Sequence, residues 1–318
     1  MNVFAEKIDP SNILVIKLGA LGDVIMAQGV MACIRKQFPK AHITLMTEPL
    51  YGRFMSASSA FDALLAFKRR SRLRFDIQRA IKKNLIASQF DMIIDLQNSP
   101  RSQQFQKWLS PAFISSTSSY ATIPYRPDRS SNKSSRDYLA EQVAVSGIDI
   151  SGGYLPDISW AGLDVSHILA AADLQDGFVL LVPGSAARHL EKRWPYFEAL
   201  THELASRGIV CVTAPGPDEM DLCNALPAHV LLDQGKPLGL NQLAGLGRHC
   251  GLVIGNDTGP THLLAACKTR GIGLFGGHSP ASNTGISEVY EVLEKPHIEN
   301  ISIEEVLATF DRLYPNSV

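Results

Sequence analysis

The chain has 318 residues, and at roughly 150 residues per domain this length favours two domains, each long enough to bury a core. Its 30 Lys and Arg nearly balance 31 Asp and Glu, and 45% of the residues are hydrophobic. The composition therefore excludes a disordered chain and a small disulfide-stapled module. It also argues against nucleic acid as the main partner, because nucleic-acid binders usually carry a basic excess. Five cysteines without a C-x-x-C pair predict reduced core thiols, as in a cytosolic protein.

The beginning of the chain carries no export pattern. Residues 1–12 lack the charged-then-apolar sequence of a secretory signal. No apolar run anywhere reaches the roughly 18 residues that a membrane span requires. We therefore expect a protein that is neither exported nor membrane-spanning.

Short β-rich runs alternate with longer amphipathic segments along the first half of the chain. Strands are predicted at residues 13–17, 42–47 and 92–96, and a helix at residues 24–38. This alternation is typical of βαβ units around a parallel sheet. Between residues 120 and 154, Pro, Ser and Gly interrupt the pattern and predict a loop, one helix and a linker.

The alternation resumes in the second half. Strands are predicted at residues 178–182, 209–213, 229–232, 252–254 and 272–275. The sequence thus predicts two doubly wound α/β domains, residues 1–155 and 156–318, with a hinge near residues 151–160. A last helix at residues 303–313 is compatible with packing on either domain.

The loop after the first predicted strand, residues 17–23, has the sequence Lys-Leu-Gly-Ala-Leu-Gly-Asp and leads into a helix. In open parallel sheets, ligands bind beyond the carboxyl ends of the strands, so this loop is a candidate site. A carboxylate at Asp23 would repel a phosphate but can accept a proton from a hydroxyl, which suits a general base. The alternative is that Asp23 only caps the helix.

The second half opens with a loop at residues 183–195 that carries Ser185, Arg188, Lys192 and Arg193. A hydroxyl, exposed backbone amides and several cations at one strand end suit a diphosphate, although the loop matches no Walker motif. The alternative is a solvated basic turn with Trp194 as a packing anchor.

A third loop, residues 255–262, has the sequence Gly-Asn-Asp-Thr-Gly-Pro-Thr-His between a strand and a helix. Asp257 is a candidate ligand of sugar hydroxyls, and the backbone of Thr258 and Gly259 suits a phosphate or nucleoside. The alternatives are an Asx turn with a capped helix and, for His262, a hydrogen-bonded packing residue.

Two further features concern anionic partners. Residues 68–83 hold eight Lys and Arg against one acid, Asp76, which suits an anionic membrane surface, with a solvated helix face as the alternative. Residues 95–102 follow another predicted strand, which puts Arg101 at the same sheet edge as Asp23.

Other chemistry finds little support in the sequence. The G-x-G-x-x-G match at residues 271–276 has an apolar, strand-like interior and opens no helix, so it does not indicate a dinucleotide site. No Asp-x-Asp, H-E-x-x-H or cysteine cluster predicts a metal, and no G-x-S-x-G elbow predicts an acyl-transfer hydrolase. We expect no metal cofactor.

Four motifs in this order resemble glycosyltransferase family 9, the bacterial lipopolysaccharide heptosyltransferases. They are K-L-G-A-L-G-D, D-L-Q-N-S-P-R-S, P-G-S with K-R-W-P, and G-N-D-T-G-P-T-H-L-L-A-A. The resemblance implies a GT-B fold of two Rossmann-like α/β/α domains facing across a cleft, with the acceptor on the N-terminal side. It also implies inverting, metal-independent transfer of heptose from ADP-heptose to the lipopolysaccharide inner core. The enzyme would act from the cytoplasm, peripherally at the inner membrane.

The resemblance also implies roles for individual residues. Asp23 corresponds to the general base, and Lys192, with Ser185 beside it, to the ligand of the diphosphate. The implied contacts to the sugar and nucleotide are Asp257, Thr258, Gly259 and His262. The implied contacts to an anionic glycolipid acceptor are Lys17, Gly22 and Arg101.

Two alternatives remain open at this point. One keeps the fold and the inverting mechanism but uses another nucleotide-sugar donor or another acceptor, since a fold does not determine a substrate. The other is a degenerate, non-catalytic nucleotide- or glycan-binding protein. The presence of Asp23, Lys192 and Asp257 together argues against the second, because a binder has no need of a base.

Overall fold

The computed structural model describes residues 9–67, 75–131, 133–277 and 280–314. The chain divides into two compact units, Met1–Pro156 and Asp157–Val318. Within the described ranges, each unit is built around one six-stranded parallel sheet flanked by helices. The predicted α/β class with doubly wound parallel sheets is therefore confirmed.

The first unit has the strand order β3-β2-β1-β4-β5-β6. Its strands are β1 (Asn12–Ile16), β2 (His42–Thr47), β3 (Ala63–Ala66), β4 (Met92–Asp95), β5 (Phe113–Ser116) and β6 (Ile123–Pro124). Its helices are α1 (Leu21–Met26), α2 (Gln28–Gln37), α3 (Pro49–Met55), α4 (Phe75–Ala87), α5 (Pro100–Leu109) and α6 (Ser135–Val145). The order reverses between β1 and β4, so the loops that follow these two strands diverge to opposite faces and leave a crevice.

Strand β1 is the centre of this sheet, with Ile13 opposite both Ile43 of β2 and Met92 of β4. Its apolar run is buried on both faces, as expected for a strand covered by helices on each side. The predicted helix at residues 24–38 is wrong in one respect: the segment forms two helices, α1 and α2, which meet at Ala27.

The basic segment at residues 68–83 is described only in part. Residues 68–74 lie outside the described residues. Helix α4 buries Leu85 in the core of the first unit, while Arg79, Lys82 and Lys83 are exposed. In the described part, the cations therefore lie on the solvent side of an amphipathic helix.

The second unit has the strand order β12-β11-β10-β7-β8-β9. Its strands are β7 (Val179–Val182), β8 (Cys211–Thr213), β9 (His229–Val230), β10 (Leu252–Asn256), β11 (Gly271–Gly276) and β12 (Glu291–Lys295). Its helices are α7 (Ser166–Ala171), α8 (Phe197–Ser206), α9 (Met220–Asn224), α10 (Leu240–Leu246), α11 (Gly259–Ala266) and α12 (Ile303–Leu313). The order reverses between β7 and β10, which makes their loops the counterpart of those after β1 and β4.

The second unit shows where the last helix packs and what the G-x-G-x-x-G segment forms. Helix α12 packs Val306 and Phe310 into the core of this unit. The G-x-G-x-x-G segment forms strand β11, buried between β10 and β12, and opens no helix. In the described part of the chain, no helix is long and apolar enough to cross a membrane.

Candidate functional site

The first group of candidate residues lies at the carboxyl end of β1. Lys17 follows the strand directly and is only 6% exposed, and its Nζ donates to the carbonyl oxygen of Leu96 at 3.1 Å. Burial lowers the pKa of Lys17, whereas the nearby carboxylates of Asp23 and Asp95 act to raise it. The amino group is thus fixed by the bond to Leu96, and two acidic groups lie near it.

Asp23 lies in the first turn of α1 and is half-buried. Its Oδ2 accepts a hydrogen bond from the backbone N–H of Ala20 at 3.1 Å, so the capping interaction that the sequence left as an alternative is present. The side chain also lines a cavity of about 230 Å³ in the first unit. Capping engages one carboxylate oxygen, and the carboxylate keeps acceptor capacity at the other.

The cavity beside Asp23 is lined mainly by polar side chains. Besides Lys17, these include Gln97, Tyr125, Arg129, Tyr138 and Gln142. The guanidinium of Arg129 lies 4.9 Å from the ring centroid of Tyr138. Sequence reasoning missed Arg129, because only the fold brings its loop next to β1.

Arg101 and Gly22 are the other two predicted acceptor contacts. Arg101 is at the start of α5, on the same edge as Asp23, and its guanidinium lies 5.3 Å from the ring centroid of Phe67. Gly22 precedes Asp23 in α1 and is half-buried. The described lining of the cavity includes neither residue. Their roles toward an acceptor therefore stay predictions.

The loop after β4 is fixed by a buried carboxylate. Asp95 is fully buried, and its Oδ1 accepts from the backbone N–H groups of Gln97 at 3.0 Å and Asn98 at 2.9 Å. Its Oδ2 accepts from Nε2 of Gln106 at 2.5 Å. Burial raises the pKa of Asp95, and these hydrogen bonds oppose that effect. The loop is thereby held in one conformation next to the loop of Asp23.

The second group of candidate residues lies after β10. Asp257 is 7% exposed; its Oδ1 is 2.9 Å from Nε2 of His262, and its Oδ2 forms an ion pair with Nζ of Lys192. Burial alone would raise the pKa of Asp257, but the bonds from His262 and Lys192 outweigh burial and lower the pKa to about 2. The structure therefore brings together three residues that the sequence proposed separately, and Asp257 is a fixed anion among them.

The loop after β7 combines packing with exposed charge. Ser185 is 5% exposed; its hydroxyl donates to the carbonyl oxygen of His189 at 2.8 Å and accepts from Nε of Arg193 at 3.1 Å. The Ser185 hydroxyl is thus engaged within the loop. Lys192 closes a short 3-10 helix, and its side chain is 23% exposed, so a ligand can reach this side chain.

Asn256 joins these two loops, and sequence reasoning gave it no role. Its Nδ2 donates to the carbonyl oxygen of Pro183 at 2.8 Å, and its Oδ1 accepts from the backbone N–H of Trp194 at 3.1 Å. Trp194 is buried and donates from Nε1 to the carbonyl oxygen of Ile301 at 2.8 Å, so it is a packing anchor as the alternative proposed. The only sequence signal for Asn256 was its place at the end of a buried strand.

Thr258 and Gly259 open helix α11. Thr258 is its N-cap residue and Gly259 its first residue, and both are half-buried. Thr261 donates to the carbonyl oxygen of Asn256 at 2.7 Å and so packs the turn back onto β10. Over the described ranges, no group of three or more His, Cys, Asp and Glu side chains is arranged to hold a metal ion.

Comparisons with known proteins relate this chain to a family. The sequence model of glycosyltransferase family 9 (heptosyltransferase) matches residues 78–306, a range that begins after Asp23. The chain is 23% identical over 343 residues to lipopolysaccharide heptosyltransferase 3 of Escherichia coli, covering 93% of this chain and 97% of that protein.

Two solved structures share the fold. The glycosyl transferase family 9 protein from Veillonella parvula DSM 2008 has a TM-score of 0.81 at 19% identity, over 96% of this chain and 97% of that one. The E. coli heptosyltransferase WaaC with ADP-2-deoxy-2-fluoro heptose has a TM-score of 0.75 at 18% identity, over 95% of this chain and 99% of that one. The likeness confirms the GT-B type of α/β fold for this chain.

Proposed function

Because the chain belongs to glycosyltransferase family 9 and is a glycosyltransferase, we propose that it transfers heptose from ADP-heptose to the inner core of lipopolysaccharide, with inversion and without a metal ion. The observation that carries the proposal is the Lys192–Asp257–His262 cluster at the switch point of the second sheet. In open α/β sheets this is where nucleotides bind.

The second unit is proposed as the donor site. A relative of this fold, WaaC, was solved with ADP-2-deoxy-2-fluoro heptose, which supports an ADP-linked heptose here. The ammonium of Lys192 would stabilise the negative charge that develops on the β-phosphate as ADP leaves. Asp257 would hold that ammonium and accept hydrogen bonds from sugar hydroxyls, while Thr258, Gly259 and His262 would contact the nucleotide. Ser185 would act mainly by shaping the loop.

The cations of one loop support metal independence. Lys192 and Arg193 lie in the same strand-to-helix loop as Arg188, which is exposed. Side-chain cations at this position can neutralise a diphosphate in the way that a bound divalent ion does in other enzymes.

Asp23 is proposed as the general base of the first unit. The acceptor hydroxyl would give its proton to the free carboxylate oxygen of Asp23 while the hydroxyl oxygen attacks the anomeric carbon. The bond from that carbon to the β-phosphate oxygen breaks, and its electron pair leaves with ADP. Attack from the opposite face inverts the anomeric centre.

The acceptor is proposed to be an anionic glycolipid bound at the cavity beside Asp23. Lys17 and Arg129 supply positive charge there, and Arg101 and Gly22 lie on the same edge or next to Asp23. The exposed cations Arg79, Lys82 and Lys83 of α4 suit peripheral contact with an anionic membrane. This would place the enzyme at the cytoplasmic face of the inner membrane.

The test is a transfer assay on Asp23→Asn. Asparagine keeps a side-chain oxygen for the bond from Ala20 but cannot take the proton, so it separates capping from base catalysis. We expect transfer from ADP-heptose to fall at least about a hundredfold, with unchanged ADP affinity by calorimetry.

The matched control is Glu305→Gln in the second unit. Glu305 occupies the same turn of α12 and accepts from the backbone N–H of Ser302 at 2.9 Å, as Asp23 does from Ala20. This control should keep full activity. Full activity of Asp23→Asn would mean that Asp23 only caps the helix.

Two outcomes would favour the alternative functions. Transfer only from another donor would favour a different substrate. Failure of the wild type to bind ADP, GDP or UDP would favour a degenerate, non-catalytic protein.

A further inference from the structure

Gln97 links the two loops at the switch point of the first sheet. Its Oε1 accepts hydrogen bonds from the backbone N–H groups of Leu18 at 2.9 Å and Gly19 at 3.3 Å. Leu18 and Gly19 belong to the loop that leads from β1 to Asp23. Their partner lies in the loop after β4, 79 residues from Leu18 and 78 from Gly19 in sequence. One amide oxygen therefore clamps the loop that carries the proposed base.

The loop that carries Gln97 is itself fixed by two hydrogen bonds. The backbone N–H of Gln97 donates to the fully buried Asp95, and Lys17, directly before Leu18, donates from Nζ to the carbonyl oxygen of Leu96 at 3.1 Å. The two loops are thus joined both by Lys17 and by Gln97. Gln97 differs from Asp95 in being half-buried and in lining the same cavity as Asp23.

The orientation of the Gln97 amide follows from its partners. Because both partners are N–H donors, the oxygen must face the loop and Nε2 must point away from it. Within the described part of the chain, Nε2 makes no hydrogen bond, and it is not among the buried atoms that lack a partner. The amide nitrogen is therefore not sealed from solvent, and the residue that carries it lines the cavity.

We propose that Gln97 is a positioning residue that holds the Leu18–Gly19 backbone, and with it Asp23, and that its Nε2 donates a hydrogen bond to a hydroxyl or anionic oxygen of the acceptor. This inference rests on the proposed function, since it assigns Gln97 to the acceptor side of the same reaction. Both parts come from one amide group: the oxygen binds the protein and the nitrogen binds the substrate.

Two substitutions separate these parts. Gln97→Glu keeps an oxygen that accepts from Leu18 and Gly19 but loses the donors and adds a charge that repels an anionic acceptor. Gln97→Leu loses both the acceptor and the donors at similar size. Gln104→Leu, an exposed glutamine on α5, is the matched control for the leucine substitution.

Steady-state kinetics with varied acceptor give the first readout. We expect Gln97→Leu to lower kcat about 10- to 100-fold, because small displacements of a catalytic group have effects of that size. Gln97→Glu should keep kcat within about threefold of wild type but raise the KM for the acceptor about fivefold or more, which a merely structural residue would not do. The KM for the donor should not change in either variant.

Hydrogen–deuterium exchange of the peptide that contains Leu18 and Gly19 gives a second readout that needs no substrate. Exchange should accelerate in Gln97→Leu and stay at the wild-type rate in Gln97→Glu and Gln104→Leu. The proposal is overturned if Gln97→Leu keeps wild-type kcat and exchange, if Gln97→Glu loses as much kcat as Gln97→Leu, or if neither variant changes the acceptor KM. A wild type without transfer activity would refute the proposed function, whereas the exchange experiment would still decide the clamp.

Discussion

Two carboxylates of this protein, Asp257 and Asp23, differ in burial and in hydrogen bonding. Asp257 is 7% exposed and bonded through both oxygens, to His262 and Lys192, so it stays ionised at neutral pH. Asp23 is half-buried beside a cavity and has one oxygen in a helix cap. A group with a fixed charge orients its partners, whereas a group with a free oxygen at a cavity can exchange a proton with a ligand.

The fixed charge of Asp257 predicts an acid-sensitive contribution to stability. Because the folded-state pKa of about 2 lies below the ordinary value of 3.8, this contribution is complete above about pH 4 and is lost as the pH falls through 2. Its size is about 2 kcal/mol. We expect the free energy of unfolding, measured in urea between pH 5 and pH 2.5, to fall more steeply in wild type than in Asp257→Asn.

The control for this measurement is Asp218→Asn, which alters an exposed carboxylate in the same unit. Its pH profile should run parallel to that of the wild type. Parallel profiles for wild type and Asp257→Asn would instead mean that the Asp257 cluster makes no net contribution.

At the level of elements, the sequence predicted the central strands and the edge strand β9, but it missed β3, β5, β6 and β12. Strands β1, β4, β7 and β10 are continuous apolar runs buried on both faces, and such runs are recognisable locally. Strand β3 alternates between half-buried and exposed residues, and β12 is only half-buried. Strands of this kind form because a neighbour pairs with them, and the neighbour is not encoded in the local pattern.

The candidate loops were predictable for the same reason, since they follow the recognisable strands. The bonds between loops were not. Lys192 meets Asp257 across 65 residues and Gln97 meets Leu18 across 79. Such contacts depend on the strand order, and the order is set by packing of the whole sheet rather than by any segment.

Helix α2 gives an element-scale prediction through Gly29. A Cβ on Gly29 would lie 1.9 Å from the carbonyl oxygen of Tyr154, so the helix packs directly against backbone. We expect Gly29→Ala to lower the free energy of unfolding by about 1–3 kcal/mol, because neither backbone can yield easily. Equilibrium urea unfolding measures this change.

Gly52 in α3 is the matched control. A Cβ there would meet only Cγ2 of Thr47, at 3.7 Å, which is an ordinary contact. Gly52→Ala should therefore be neutral or stabilise by up to about 1 kcal/mol through helix propensity. Equal destabilisation of both variants would contradict the close approach at Gly29.

On the scale of the whole molecule, both units have the same sheet arrangement with positive charge at the same position. Each has a parallel sheet whose order reverses next to its first strand, and each has cations at that switch point, Lys17 and Arg129 in one and Lys192 and Arg193 in the other. The formal charge of the chain is only -1. An anionic ligand would therefore be attracted by these local groups and not by a net field of the protein.

If side-chain cations attract the diphosphate, ADP binding should depend on Lys192 and not on magnesium. Removing a charged hydrogen-bond donor costs about 1.5–3 kcal/mol, so Lys192→Met should weaken ADP binding about 10- to 100-fold in calorimetry. The wild-type affinity should be the same within about twofold in chelator and in magnesium. Lys268→Met is the matched control, because Lys268 is an exposed lysine of the same unit paired with an aspartate, Asp157. If binding appeared only with magnesium, or if Lys268→Met weakened it equally, the diphosphate would have to be held by something other than the Lys192 ammonium.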